Sequence, residues 1–156
     1  MRPPRHRERR DSRREERMKM RIDEFHSRNV PEGETHDSLS EAVIGVLIEV
    51  HSKLGPGLSE MMYENAVCHE FDLRGIKYAR QVPVAVEYKG KIIGETKLDL
   101  IVEGKLILEL KTVETLSPVH RSQVICYLQV TKLKVALLVN FNVALLKDGI
   151  KRIVLS

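Results

Sequence analysis

Tryptophan is absent from this 156-residue chain, aromatic residues make up only 4% of it, and it holds two cysteines. An interior without large rings has to be aliphatic, and 42% hydrophobic content is enough to build one such core in a single domain of this length. Cys68 and Cys126 are too few for a disulfide framework, and neither belongs to a CxxC pair, so both read as reduced, buried thiols. No apolar run approaches the roughly 20 residues that a bilayer crossing requires, and the N-terminus lacks the apolar stretch of a secretory signal. The expectation is a soluble, cytoplasmic protein with no membrane partner.

A strong charge of one sign is also missing from most of the chain. Residues 1–29 hold 11 Lys/Arg against 6 Asp/Glu, a net of +5 that exceeds the +4 of the whole chain and leaves residues 30–156 at −1. Overall charge therefore gives no case for nucleic-acid binding by the folded part, and any such case has to come from a site. Residues 1–35 are arginine-rich and poor in apolar side chains, so they read as a disordered tail. The tail is either an electrostatic arm or a solvated extension, and a start at Met18 or Met20 would remove its arginine stretch.

From residue 36 the pattern is that of a folded domain. Ser38-x-x-Glu41 fits a capping box, and Leu39, Ala42, Val43, Val46, Leu47 and Val50 recur at helical spacing. Gly55-Pro56-Gly57 ends this helix. A second one runs from Leu58 or Ser59 to about Leu73, with Met62, Ala66, Val67 and Phe71 as its buried face and Gly75 closing it. After Lys77 the period changes to two. Val82, Val84 and Val86 alternate up to a hairpin turn at Tyr88-Lys-Gly-Lys91, and strands follow over Ile92–Val102, bent at Gly94, and Leu106–Lys111. Ser117-Pro118 opens a third helix to about Val130. A buried strand over Val135–Phe141 and a last pair, Ala144–Lys147 and Ile150–Leu155, complete a mixed α/β order, αα-βββ-α-βββ.

The polar interruptions of two leucine runs carry the chemistry. Leu98 and Leu100 flank Asp99, while Leu108 and Leu110 flank Glu109. Glu109 and Lys111 project from one side of their strand, about 6 to 7 Å apart. If the four leucines share a core face, Asp99 joins Glu109 and Lys111 on the opposite face. The three-residue loop Glu103-Gly104-Lys105 would then set Asp99 directly across from Glu109. Two carboxylates and an ammonium on one patch suit a hard divalent cation, Mg²⁺ or Mn²⁺, with a water beside it. A solvated strand face carries the same residue types.

Two further groups are candidates. Glu60, in the first turn of the second helix, either complements the helix dipole or reaches the patch, with Tyr63 one turn on. On the third helix Gln123 and Tyr127 are four apart and share a face, with His120 ahead of them. His51, at the end of the first helix, fits a partner of that helix's C-terminal dipole.

Taken in order, Gly57-x-x-Glu60-x-x-Tyr63, Asp99, Glu109-Leu-Lys111, His120, Gln123-x-x-x-Tyr127 and Asn140-Phe141 resemble the GxxExxY protein family of the PD-(D/E)XK nuclease superfamily. The resemblance spans about Leu39 to Val154. Leu98 stands where the superfamily motif has its proline. The resemblance implies a restriction-endonuclease-like core over residues 36–156, a mixed sheet flanked by helices, that hydrolyses phosphodiester bonds in DNA, or less readily in RNA, with Mg²⁺ or Mn²⁺. It implies metal binding by Asp99, Glu109 and Glu60, catalysis by Asp99, Glu109 and Lys111, and substrate orientation by Gln123, Tyr127, Tyr63, His120 and His51. The rival expectation is a non-catalytic nucleic-acid- or protein-binding module that keeps the fold. A protein partner or a homodimer is compatible with either.

Overall fold

The computed structural model describes residues 36–155, so the expectations for the tail before His36 lie outside the described residues. Two helices come first, α1 (His36–Leu54) and α2 (Glu60–Arg74). The helix is already under way at His36, so Ser38 and Glu41 lie inside it and not at its start, where the capping box was expected. Leu39, Val43, Val46, Leu47 and Val50 are buried as their spacing requires, whereas Ala42 lies on the exposed side. Helix α2 starts at a capping serine, with Ser59 Oγ accepting the Met62 N–H at 3.3 Å, and ends at Gly75, whose φ of 70° only glycine adopts freely. Its buried stripe is Tyr63, Glu64, Val67, Cys68 and Phe71. Of the expected face, Val67 and Phe71 are buried and Ala66 partly so, but Met62 is exposed, and Tyr63, one turn before Val67, takes the core side; Cys68 is buried as expected, whereas Cys126 is exposed.

Strands β1 (Tyr78–Tyr88), β2 (Lys91–Val102) and β3 (Leu106–Lys111) form the expected antiparallel meander. Lys89 and Gly90 turn the first hairpin with φ of 47° and 82°, the two-residue geometry that matches strand twist. The pairing slips at Ile93, between Gly94 (opposite Val86) and Ile92 (opposite Glu87), which puts the bend beside the glycine marked in the sequence. Helix α3 (Pro118–Thr131) carries the chain over to β4 (Val135–Asn140), which pairs with β3 in parallel, and β5 (Ile150–Val154) pairs antiparallel with β4. The result is a five-stranded mixed sheet in the order β1-β2-β3-β4-β5, with α1 and α2 against one face and α3 against the other.

The expected strand at Ala144–Lys147 does not form. That stretch runs into a single 3₁₀ turn, Leu146–Gly149, which drops Leu146 into the core. A Cβ at Gly149 would sit 2.3 Å from the Asn140 carbonyl oxygen, so the turn packs too closely on the end of β4 for another residue type. Strand β3 is the spine of the fold. Leu106, Leu108 and Leu110 enter the α1/α2 core and Ile107 the α3 core, each worth about 1.5–3 kcal/mol when fully buried. Among the described residues no helix is long and apolar enough to cross a membrane.

Candidate active site

The backbone pairing of β2 with β3 runs from Val102–Leu106 to Leu100–Leu108 and stops there. The next rung is Asp99 opposite Glu109, the register expected from the three-residue loop, and here side chains replace the ladder. Glu109 Oε1 accepts the backbone N–H of Asp99 at 2.9 Å, and Asp99 Oδ2 accepts the backbone N–H of Leu110 at 2.8 Å. Each carboxylate thus closes a backbone donor that the parting strands would leave unpaired. The expected route to this rung needs one correction. Leu100 lies in the α1/α2 core with Leu108 and Leu110, but Leu98 packs in the α3 core with Val82 and Val84. The alternation changes phase at Asp99, so Leu98 and Leu100 do not share a face.

Burial dominates the electrostatics. Glu109 is only 3% exposed, and loss of water, reinforced by the Asp99 charge, pushes its carboxyl up to about 8. Asp99 is also raised, chiefly by burial, with the Leu110 N–H opposing the shift. Both shifts favour the protonated carboxyl over the ionised one. Glu60, the first residue of α2, is raised by partial burial and then by the Asp99 charge. Lys111 is the shared counterweight, favouring the ionised form of Glu60, Asp99 and Glu109 alike. Tyr127, buried on α3, exchanges a hydrogen bond with Thr96 Oγ1 at 3.2 Å. Its hydroxyl is raised by burial first and by the Glu109 and Asp99 charges as smaller causes.

Asp99 and Glu109 thus meet directly, with Lys111, Glu60 and Tyr127 within range of their charge. Among the described residues no three His, Cys, Asp or Glu side chains stand together as a ready-made metal cluster, and Glu60 feels the pair without joining it. The donor set nevertheless fits a hard divalent cation: two half-buried or buried oxygen ligands are short of positive charge, and each has one oxygen fixed by a backbone N–H.

The remaining candidates are placed differently. Gln123, one turn before Tyr127, is exposed. Tyr63 is fully buried, stacks on Phe141 at 4.3 Å, donates its hydroxyl proton to the Gly55 carbonyl and accepts the Leu58 N–H. It clasps the glycine loop that delivers Glu60. His51 Nε2 faces the carbonyl oxygens of Phe141 (3.2 Å) and Val143 (2.9 Å), so that nitrogen carries the proton and ties α1 to the chain after β4. His120 Nδ1 accepts the Ser117 N–H at 3.0 Å and caps α3.

Three residues were not singled out from the sequence. Glu64, 3% exposed and one turn past Glu60, accepts from Arg80 Nη2 at 2.7 Å and Gln81 Nε2 at 2.6 Å, and its charge helps to raise Asp99. The four-residue spacing of Glu60 and Glu64 was the available signal; nothing nearby marked Arg80 and Gln81.

A family model described as the PD-(D/E)XK nuclease superfamily matches residues 37–153. No curated protein and no solved structure matches the chain.

Proposed function

Because the chain belongs to the PD-(D/E)XK nuclease superfamily, we propose that it hydrolyses phosphodiester bonds in DNA rather than RNA, using Mg²⁺ or Mn²⁺. Nucleases of this superfamily generally use divalent metals. Within the superfamily, Gly57-x-x-Glu60-x-x-Tyr63 supports a place in the GxxExxY group. The proposed nuclease domain is residues 36–156, around the matched span 37–153.

The observation that carries this reading is the crossed Asp99–Glu109 rung beside Lys111. Asp99 and Glu109 hold the cation, with Glu60 completing or positioning its shell. When bound, that ion lowers the pKa of a water and offsets charge on the phosphoryl oxygens. Lys111 orients the attacking water and neutralises developing negative charge. Glu109 would have to be ionised to hold the cation. Tyr127 and Gln123 orient the substrate or Lys111 from the α3 side. Tyr63, His51 and His120, with polar atoms committed to backbone groups, act by holding the site's shape.

The test is cleavage of supercoiled DNA, single-stranded DNA and RNA with Mg²⁺ or Mn²⁺, comparing wild type with Asp99→Ala and Lys111→Ala. Cleavage by the wild type and loss in both variants is the expected result. Equal cleavage by all three proteins defeats the proposal. The second reading is a binding module without hydrolysis, and the −1 net charge of residues 30–156 points it toward a protein partner, since duplex binding usually leans on several cationic phosphate contacts. No heat of Mn²⁺ binding and no cleavage by the folded protein would favour it.

A further inference from the structure

Gln81 has a backbone φ of 46°, a left-handed conformation unusual for a residue with a side chain, in the middle of β1. Its position in the pairing is specific. Arg80 pairs with Leu100 and Val82 with Leu98, so Gln81 falls at the rung of Asp99, where the regular pairing of β1 with β2 is interrupted. The interruption coincides with the change of phase on both strands. Leu100 enters the α1/α2 core and Arg80 turns to Glu64 on α2, whereas Val82 and Leu98 two rungs further both enter the α3 core. In an undisturbed pleat the pairs Arg80/Leu100 and Val82/Leu98 would face the same way.

The strained residue is held in place. Gln81 Nε2 donates to Glu64 Oε1 at 2.6 Å, and Arg80 Nη2 donates to Glu64 Oε2 at 2.7 Å and to Asn65 Oδ1 at 2.6 Å. A buried carboxylate with both oxygens occupied is a firm anchor, because breaking either bond leaves it short of a partner. A left-handed residue in a strand costs stability and persists only where its surroundings fix it.

We propose that Gln81 is a positioning residue: its left-handed turn, anchored on Glu64, rotates β2 at Asp99 so that the Asp99 carboxylate meets Glu109 and Leu110 instead of following the strand's alternation. It touches neither the phosphate nor the cation and acts through Asp99. The inference rests on the proposed role of Asp99 as a metal ligand, but the geometry it explains exists without metal. A surface ion pair with no such role would tolerate any small replacement at position 81 equally.

Gln81→Gly, Gln81→Ala and Gln81→Val all remove the side-chain anchor and differ only in how readily they adopt positive φ. Two measurements apply to each variant and to wild type: hydrogen-exchange protection of the Leu110 amide without metal, and Mn²⁺ affinity by calorimetry. The expected order of retained protection and affinity is Gly, then Ala, then Val, with Gln81→Val losing about tenfold or more in Mn²⁺ affinity, as for outer-shell changes at metal sites. Three variants indistinguishable from one another overturn the proposal, as does Leu110 protection in Gln81→Val equal to wild type. If Gln81→Val fails to fold, the Gly-to-Ala comparison decides. If the wild type neither binds Mn²⁺ nor cuts DNA, the functional reading falls while the Leu110 amide still reports on Gln81.

Discussion

Lys111 lies directly opposite Asn140 in the parallel pairing of β3 with β4, and Asn140 fixes the backbone that leads away from it. Asn140 is 2% exposed. Its Oδ1 accepts the N–H groups of Val113 and Asn142, both at 3.1 Å, and its Nδ2 donates to the Val113 carbonyl at 2.8 Å. The Phe141 N–H completes the clamp by donating to the Lys111 carbonyl at 3.0 Å. Lysine has four rotatable side-chain bonds, so a fixed backbone is what limits where its ammonium reaches. Asn140→Ala frees the Val113 groups and is expected to destabilise by about 1–3 kcal/mol, with a fall in kcat larger than any change in KM. Urea denaturation and steady-state cleavage measure the two effects. Unchanged kcat in the folded variant would remove Asn140 from the support of Lys111.

The Asp99–Glu109 pair makes stability depend on pH with a definite sign. The Glu109 carboxyl ionises near 4.5 in the unfolded chain and at about 8 in the folded one, so the folded state holds the extra proton across that window. Metal-free stability from this group is fully present below about 4.5 and declines as pH rises toward 8. Metal binding needs the ionised form, so it releases a proton and strengthens with pH over the same range. Melting temperatures at several pH values, with and without Mn²⁺, should therefore diverge as pH rises. A constant gap between the two curves would mean that the ion binds elsewhere.

Replacing Asp99 with asparagine keeps an oxygen for the Leu110 N–H and removes the charge that helps to raise Glu109. Asp99→Asn should therefore melt above wild type in metal-free buffer at pH 8 while losing Mn²⁺ affinity and cleavage. This is the trade expected where function requires charges that folding alone would avoid. Differential scanning fluorimetry in a chelating buffer reads the first effect and calorimetry the second. A melting temperature below wild type would show that the anionic pair stabilises the fold.

Lys111→Met preserves length and much of the apolar stem. It should lower kcat by about 100-fold or more, the scale for losing one positioned electrostatic group, with Mn²⁺ affinity largely kept. Single-turnover cleavage and calorimetry separate the two readouts. A loss confined to metal affinity would reassign Lys111 to keeping the carboxylates ionised.

Much of this arrangement is legible in residue order, for definite reasons. Leu100 shares a core with Leu108 and Leu110, and the three-residue Glu103-Gly104-Lys105 loop agrees with that register, so Asp99 opposite Glu109 follows from local pattern. The switch of Leu98 into the other core is not legible, because it depends on a left-handed glutamine in a neighbouring strand, and side-chain type does not encode φ. Met62 was expected on the buried face and Tyr63 in the core with its hydroxyl at the rim, and the four-residue steps from Tyr63 to Val67 and Phe71 settle it for Tyr63. At Ala144–Lys147 apolar residues suggested a strand, but the short return from β4 to β5 left room only for a turn packed on Asn140.

Tyr63 offers a test of whether Glu60 matters through its position. The hydroxyl bridges Gly55 and Leu58 across the loop, while the ring rests on Phe141 at an interplanar angle of 5°. Tyr63→Phe keeps the ring stack and deletes only the bridge, leaving the Leu58 N–H without its partner. The expected cost in stability is about 1 kcal/mol. The freed loop lets the first turn of α2 shift, so Mn²⁺ affinity should fall in proportion to what Glu60 contributes. A double-mutant cycle with Glu60→Gln makes this quantitative: if Tyr63 acts only by placing Glu60, the two losses in Mn²⁺ affinity overlap in the double variant. Additive losses would instead mean that the loop and the first carboxylate of α2 reach the site independently.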